Sequence, residues 1–584
     1  MKNQRSILIQ GTLIVLLLGC CWLGAPATAA AAQKQLWLVG GNVMPCPTME
    51  QAQCQRDGFD DQRRLALQSD AIEAAVANDA WPEDRQNLRV LAHILLRRTA
   101  ERVGDQPMTA KQLWQHLAST YISRGGSDLS EAVARNGIKR YADLNGRDPI
   151  VLHGQDFVDG LSQWERNLIT DHLVQSFRST QLAQPQLLRS FAEALQQRLE
   201  AKGQQRQPKV LIVSAGRDDS FESVPMISSA LKRHGVEPEW LALDAAVALA
   251  IAQQRCDELE AIRAQQLGRY QLHEHHPSLV RQQQRSCQQP ARLSEQIATA
   301  DGVFLLDGSI ALLQASWFAS DGQALPWTQR LRTTFERGEL SVMAVGAAAQ
   351  FAVGHSETTP PMMQADEKEA GGRLVSAWCD RHSCQDGHHE LHGLGLFEYG
   401  SIDTYTAERG REYRLLRAAA SGTGIGLGID DGTLVRIQWL ENGQVEMRVQ
   451  GEGTVLLVDT RKAEFDANDE EWSLREARLS RLVPGTLIRM DDDSDYQLLM
   501  PDTHAGKPLQ LIPPNRLVDP YFFRSWTQWF VANELPYAEA EYHVRPLQAL
   551  LRLQRPKQGF RYYISGNGLV GYRDLIADLS FNRS

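Results

Sequence analysis

The chain contains 584 residues, which exceeds what one hydrophobic core normally organises and indicates two or three domains. Hydrophobic residues make up 43% of the sequence and charged residues 23%, a globular composition that excludes wholesale disorder. The formal net charge of −10 argues against a nucleic-acid-binding protein and is compatible with a cationic ligand.

Residues 1–32 have the pattern of an export signal. Lys2 and Arg5 precede a mostly apolar run at 7–24, and an alanine-rich stretch at 25–32 offers small-residue cleavage sites. The alternative is a permanent membrane anchor, although the apolar run is short. The residues ending in Cys20 also resemble a lipoprotein box. We therefore expect an exported protein (periplasmic, anchored by a lipid at Cys20 in the outer membrane, or extracellular) with no membrane span in the mature chain.

Six cysteines follow the leader and form three pairs of sequence neighbours. Disulfides persist in exported proteins, and each pair flanks a segment with loop composition, so pairing within each pair is favoured. The expected disulfides are Cys46–Cys54, Cys256–Cys287 and Cys379–Cys384. A metal site at the third pair, with His382, His388, His389 and His392, is the alternative. Its spacing lacks the paired units of a zinc module, so we expect no metal and no cofactor.

The sequence divides into a core with one insertion and one extension. Residues 36–41 are an apolar run ending in glycines, which is typical of a buried first strand. Helical periodicity then dominates until a new alternation of strands and helices begins near residue 209. We therefore predict a signal peptide, an α/β domain, a helical insertion and a C-terminal extension. Their bounds are 1–32, 33–44 with 205–495, 45–204 and 496–584.

The alternation of short apolar strands and helices in the core predicts a mostly parallel sheet covered by helices on both faces. Binding and catalytic sites of such sheets form at the carboxyl ends of the strands. Asp307 and Ser309 follow one predicted strand, Gly346 follows another at a small-residue turn, and Tyr405 follows a third. We expect these residues to converge on one cleft.

Residues 393–436 are interpreted as strand, basic helix and strand. The helix is predicted at 407–420, and a glycine-rich turn leads into the second strand. Charged residues that we place near the cleft are Asp403, Glu408, Arg409 and Asp431. Recognition of a peptide needs carboxylates for cationic groups and cations for carboxylates. For Arg409, Arg411 and Arg414 we favour a structural interpretation. In it, their side chains connect the helix to the strand ends and do not bind a ligand.

This stretch resembles the cyanophycinases, serine exopeptidases of the same clan as aspartyl dipeptidase. The matching pieces are Gly393 to Leu396, Asp403, the run from Arg409 to Leu415, and Gly426 to Asp430. With residues 36–41 and 210–490, the resemblance covers about half of the chain. It implies a fold like that of the class I glutamine amidotransferases and flavodoxin, and ligands made of β-linked Asp-Arg units.

The resemblance also implies a catalytic triad that this sequence does not carry. Gly346 stands at the position of the family's nucleophilic serine, Tyr405 at that of its histidine, and Asp431 at that of its glutamate. A triad works only when nucleophile, base and orienting group hydrogen-bond in series. The leading hypothesis is therefore an inactive relative that acts as a binding or structural module. An active peptidase with a nucleophile moved to Ser309, Ser341 or Ser356 is the second.

From residue 434 the hydrophobic pattern changes to a period of two, interrupted by Asn442-Gly443 and by a second glycine-rich turn at 451–453, which are hairpin signals. We expect a β-rich closing segment there. The residues from 515 onward are rich in aromatic side chains, and we interpret them as an addition that packs against the core. An envelope protein that binds carbohydrate or protein, mainly through the helical insertion and this aromatic C-terminus, is a third hypothesis.

Overall fold

The structure is a computed structural model. It describes residues 33–41, 63–77, 80–104, 106–123, 151–177, 185–353, 393–467, 471–491, 495–501, 517, 520–544, 547–557, 560–565 and 568–583. The expected leader with its Cys20 and two of the expected cysteine pairs, Cys46–Cys54 and Cys379–Cys384, lie outside the described residues, as does Ser356. Over the described ranges, no helix combines the length and the hydropathy needed to cross a bilayer.

The strands are β1 (Gln35–Val39), β2 (Arg63–Leu65), β3 (Tyr121–Ser123), β4 (Val151–His153), β5 (Val174–Phe177), β6 (Lys209–Val213), β7 (Glu237–Trp240), β8 (Gly302–Leu305), β9 (Ser341–Val345), β10 (Ser401–Thr404), β11 (Ile425–Ile429), β12 (Thr433–Trp439), β13 (Val445–Gly451), β14 (Val455–Asp459), β15 (Glu464–Ala467), β16 (Glu471–Leu482), β17 (Leu487–Met490), β18 (Tyr496–Leu499), β19 (Tyr537–Val544), β20 (Leu547–Gln554), β21 (Tyr562–Ile564) and β22 (Val570–Arg583).

The α-helices are α1 (Ser69–Ala75), α2 (Gln86–Val103), α3 (Ala110–Ala118), α4 (Gly154–Gly160), α5 (Gln163–Leu173), α6 (Pro185–Ala201), α7 (Val224–Arg233), α8 (Ala245–Ala252), α9 (Leu259–Leu267), α10 (Leu272–His275), α11 (Pro277–Gln288), α12 (Ala291–Thr299), α13 (Ile310–Trp317), α14 (Pro326–Glu336), α15 (Ala347–Val353), α16 (Glu412–Ser421) and α17 (Phe522–Ala532).

The first large sheet has the order β18-β17-β13-β12-β1-β9-β8-β6-β7. Its strands from β7 to β1 are parallel neighbours, whereas β1 pairs antiparallel with β12 and the strands beyond are antiparallel as well. Both β1 and β6 enter this sheet, as the sequence predicts for the strands on either side of the insertion. The fold is therefore mixed α/β and only partly parallel.

Helices cover both faces of the parallel half because its strands are apolar on both sides. In β1, Leu36 and Leu38 pack toward a layer that includes α8, α13 and α14, while Trp37 and Val39 pack toward α6 and α7. Alternate side chains of a strand point to opposite faces, so a continuous apolar run suits a sheet that is buried twice. This part of the predicted architecture is confirmed.

The second large sheet corrects the expectation of a mostly parallel protein. Its order is β10-β11-β14-β16-β22-β20-β19, and only the β10–β11 pair is parallel. The C-terminal part of the chain is thus largely antiparallel, and several of its paired neighbours are not consecutive along the chain. Most of the aromatic C-terminal residues lie either in strands of this sheet or in α17, which shares a hydrophobic cluster with the sheet. Strand β22 lies between β16 and β20.

Helices α1 to α5 surround a hydrophobic cluster of their own, which includes Leu95, Trp114 and Leu168. Helix α6 packs instead against the first large sheet, where Phe191 contacts the Trp37 ring edge-to-face. The buried Arg269 connects the two regions, since its guanidinium lies 2.8 Å from Asp171 on α5 and 2.7 Å from Asp219 in the loop after β6.

A disulfide joins Cys256 to Cys287, with an S–S distance of 2.00 Å. This is the pairing between sequence neighbours that the sequence predicts for these two cysteines. The bond links the 3₁₀ turn at Cys256–Glu258 to the last turn of α11.

Candidate functional site

The predicted small-residue turn, called the elbow below, lies at the carboxyl end of β9, where the chain turns at Gly346 into α15. The φ angle of Gly346 is +56°, in the left-handed region that only glycine adopts at low cost. A Cβ atom at this position would overlap the carboxylate of Asp307. Both the backbone angle and the neighbouring carboxylate therefore require a residue without a side chain.

Asp307 follows β8 and places its buried carboxylate directly over the elbow. Its Oδ1 accepts hydrogen bonds from the backbone N–H groups of Gly308 (2.9 Å) and Ala347 (2.7 Å), and its Oδ2 accepts one from the Tyr405 hydroxyl (2.6 Å). In hydrolases with a nucleophile elbow, the N–H after the nucleophile binds the developing oxyanion. Here the corresponding N–H, that of Ala347, binds an aspartate of the same chain.

Tyr405 reaches this carboxylate from the second sheet, where it follows β10. Its φ of +52° is unusual for a residue with a side chain, and its N–H donates to the Gly40 carbonyl of the first sheet (2.8 Å). The Arg409 guanidinium lies over its ring at 4.3 Å from the centroid. Burial, reinforced by the Asp307 charge, raises the pKa of Tyr405 well above its usual value, so the hydroxyl stays protonated and donates.

The structure thus brings Asp307, Gly346 and Tyr405 together, at the place where the two large sheets meet. The sequence placed them at the ends of strands in one parallel sheet, and the participation of the second sheet is a correction to that picture. Strand periodicity could not reveal it, because sheet membership depends on pairing between residues far apart in the chain.

Glu408 and Asp431 lie beside this cluster and contact each other through the backbone. The Asp431 N–H donates to Glu408 Oε2 (3.0 Å). The Arg524 guanidinium of α17 lies 3.4 Å from Glu408 Oε1 and 3.1 Å from Asp430 Oδ2. Burial, with the added repulsion of Asp430, raises the pKa of Glu408 to about 7. The sequence did not indicate Asp430 or Arg524, since only the fold carries α17 to this point.

Asp403 is not accessible to a ligand. Its side chain is fully buried, and both carboxylate oxygens bind Arg414, at 2.6 Å from Nε and 2.5 Å from Nη2. Gln350 donates a further hydrogen bond of 2.7 Å. The helix that carries Arg414 begins at Glu412, five residues later than predicted, because Gly410 has a φ of +60° that no α-helix accommodates. Asp403 and Arg414 therefore form the structural tie that the sequence offered as an alternative.

The two described serines that were considered as relocated nucleophiles lie in different surroundings. Ser309 is exposed and caps α13, where its Oγ accepts the Leu312 N–H (3.4 Å). Ser341 is buried at the amino end of β9 and accepts a hydrogen bond from Arg198 (2.8 Å). It lies five residues before Gly346, a distance of roughly 16 Å at about 3.3 Å per residue.

No protein-family model matches the sequence. Within the described part of the chain, no cluster of three or more His, Cys, Asp or Glu side chains has a geometry suited to a metal ion. The elbow at Gly346 carries no hydroxyl or thiol. The Ala347 N–H is already bound to a carboxylate, and the Tyr405 hydroxyl acts as a hydrogen-bond donor to that carboxylate.

Proposed function

We propose that the chain is an exported cyanophycinase-like protein that does not hydrolyse peptides and acts as a binding or structural module. One observation carries the proposal. The Asp307 carboxylate binds the Ala347 N–H and lies where a side chain at position 346 would begin.

Acyl transfer needs three things that this arrangement does not supply together. It requires an activated oxygen or sulfur, a base that accepts its proton, and free donors around the developing oxyanion. Gly346 has no nucleophilic atom, the high pKa of Tyr405 keeps its hydroxyl protonated, and the Ala347 N–H already binds a carboxylate. Loss of even one triad member typically leaves only the contribution of binding and the oxyanion donors.

Kinship to the cyanophycinases remains a proposal that rests on motifs occurring in the same order along the chain. If the kinship holds, the ligands to test first are β-linked Asp-Arg peptides. Glu408, Arg409 and Asp431 are partly exposed beside the Asp307–Tyr405 pair and supply both signs of charge for such a ligand.

The test incubates the purified mature protein with β-Asp-Arg dipeptides and polymers and with a serine-directed phosphonate probe. We expect no product above the buffer control and no labelled residue, while calorimetry detects binding of the peptide. Turnover, or labelling of one serine that requires the native fold, would contradict the proposal. A Ser309→Ala variant, assayed in parallel, then shows whether the exposed serine of the Asp307 loop is responsible.

Export is part of the same proposal and has its own test. Radioactive palmitate added to expressing cells labels the protein if Cys20 carries a lipid, and a Cys20→Ser variant is the control. Recovery of unlabelled protein with an intact N-terminus from the cytoplasm alone would contradict export.

A further inference from the structure

Arg217 lies in the loop after β6, which is pressed against the loop that carries Asp307. The carbonyl of Gly216, its neighbour, accepts the Ser309 N–H (2.6 Å). A Cβ atom at Gly308 would overlap that same carbonyl. These two loops follow adjacent parallel strands of the first sheet. Arg217 therefore lies at the carboxyl edge of the sheet, beside the exposed residues Gly308 and Ser309.

The Arg217 side chain is buried without a partner among the described residues. Its relative exposure is 9%, and its Nε is fully buried and makes no hydrogen bond. The terminal nitrogens are not among the fully buried unpaired atoms, so the tip of the guanidinium is the part that solvent reaches. A stem held in the protein with a tip that solvent reaches, at the carboxyl edge of the sheet, is the arrangement expected of an arginine that binds an anion.

The acidic residues that follow Arg217 are directed at a different cation. Asp219 lies 2.7 Å from the Arg269 guanidinium and also accepts the N–H groups of Phe221 and Glu222. Asp218 lies 3.8 Å from Arg269. A guanidinium that has lost part of its hydration without gaining a carboxylate is unfavourable, and an incoming anion relieves that cost.

We propose that Arg217 is the anion-recognition residue of the cleft and that it binds a carboxylate of the ligand. This inference rests on the proposed binding function and names a group that the ligand must carry. A carboxylate suits the position better than a phosphate does. The planar guanidinium can pair with two oxygens of either group, but a phosphate near neutral pH carries close to two negative charges and is held best by several cations. Asp307, on the neighbouring loop, adds negative charge.

The experiment follows the thermal unfolding midpoint of the full mature chain as succinate is added. A ligand that binds only the folded state raises the midpoint according to its dissociation constant. Succinamide is the uncharged analogue, and sodium phosphate and sodium chloride are compared at equal ionic strength. The proteins are wild type, Arg217→Gln, Arg217→Lys and Arg233→Gln, whose arginine is exposed on α7 and bonds only locally to Ser229.

We expect succinate to raise the midpoint of the wild type and of Arg233→Gln, and succinamide to leave both unchanged. Arg217→Gln should need at least about 10-fold more succinate for the same shift, because a charge-assisted pair is lost. The succinate concentration that Arg217→Lys needs for this shift should lie between those of the wild type and Arg217→Gln. Without ligand, the midpoint of Arg217→Gln should equal or exceed that of the wild type.

Four results would each overturn the inference. They are an equal succinate response in Arg217→Gln, a wild-type response no larger than that to chloride, a larger response to phosphate than to succinate, and a marked loss of stability in unliganded Arg217→Gln. The last would identify Arg217 as a structural residue. Peptide turnover would contradict the proposed function without changing the succinate titration, so the two failures are distinguishable.

Discussion

Gly346 and Asp307 restrict each other, since the carboxylate occupies the space that a side chain at position 346 would need. We predict that Gly346→Ala lowers the thermal midpoint through two effects. The left-handed backbone costs about 1–2 kcal/mol for a residue with a Cβ, and the overlap adds to it. In an Asp307→Ala background the overlap disappears and only the backbone cost remains.

Gly203→Ala is the matched control for this cycle. Its φ is +71° and a Cβ there would meet no atom within 4 Å, so it measures the backbone cost alone. Thermal midpoints are measured for the wild type, both single variants, the double variant and Gly203→Ala. In the presence of Asp307, Gly346→Ala should lower the midpoint more than Gly203→Ala does. In the Asp307→Ala background, Gly346→Ala should lower it only as much as Gly203→Ala. An equal loss in both backgrounds would contradict the contact.

The contact between the Asp307 carboxylate and position 346 also determines whether a catalytic serine can be introduced there. We predict that Gly346→Ser combined with Tyr405→His stays unlabelled by a serine-directed phosphonate, because Asp307 still lies over position 346 and still binds the Ala347 N–H. Adding Asp307→Ala removes both obstacles, and labelling should then appear. Labelling of the double variant at the level of the triple variant would show that Asp307 moves aside.

Glu412 makes stability depend on pH. It is fully buried on α16, and neither carboxylate oxygen has a hydrogen-bond partner among the described residues. The nearest cation is Arg481, at 3.9 Å. Burial raises the pKa of Glu412 to about 8 from its ordinary value of 4.5. Between these values the folded state keeps a proton that the unfolded chain has released, so stability falls as pH rises, by up to about 1.4 kcal/mol per pH unit.

Glu412→Gln should remove this contribution, because the amide is uncharged at every pH tested. We expect the thermal midpoint of the variant, measured relative to that of the wild type, to increase progressively between pH 5 and pH 8. The remaining decline, which both proteins share, includes that of Glu408. Parallel profiles for the two proteins would show that Glu412 is not protonated in the fold at neutral pH.

At the scale of elements, the joint between β10 and α16 depends on the Asp403–Arg414 pair. Asp403→Asn leaves the Arg414 guanidinium buried without its counter-charge, which costs about 3–5 kcal/mol for buried pairs. The expected result is a clear drop in the unfolding midpoint. Asp466→Asn on the exposed strand β15 should leave it nearly unchanged. Similar behaviour of the two variants would mean that the pair does not hold this joint.

Local patterns in the sequence were enough to predict the strands and turns around the elbow. The apolar run before Gly346 and the small residues after it indicated a strand, a tight turn and a helix, and the structure has all three. The period of two after residue 434 likewise predicted hairpins. It could not show that β12 and β13 join the first sheet while β14 joins the second, because both environments favour the same alternation.

The sequence was enough to name most residues of the site, but not the groups to which they hydrogen-bond. Sequence position placed Asp307 and Asp403 near a cleft as groups for a ligand. Their actual partners, Ala347 and Arg414, depend on distances that no spacing encodes. Arg217 gave no signal at all, because an arginine in a polar loop looks like any solvated residue until its burial is known.

At the scale of the whole molecule, the C-terminal strands β19, β20 and β22 are integral members of the second sheet. We predict that a chain ending at residue 516 is insoluble or lacks a cooperative unfolding transition. It would lose α17 and β19 to β22, which leaves the long strand β16 unpaired on one edge and uncovers Trp472, now stacked on Phe581.

Tyr537→Ala is the control, because this exposed tyrosine lies on the edge strand β19 and its loss leaves every strand in place. The measurements are the soluble yield and the thermal midpoint of each protein. A soluble truncated chain with the wild-type midpoint would show that the extension is dispensable.

The position of β1 has a consequence for how the chain acquires its structure. Residues 35–39 pair with 341–345 on one side and with 434–438 on the other, and β22 (570–583) pairs with β16 and β20 inside the second sheet. A ribosome adds about 5–20 residues per second, and sheets built from distant segments form slowly. The pairing of β1 with β12 in the first sheet therefore waits for residues 434–438, and the second sheet cannot close until residues 570–583 have been synthesised. During that interval their edges are open to other chains, which makes this a protein whose yield should depend on a chaperone that covers unpaired strands.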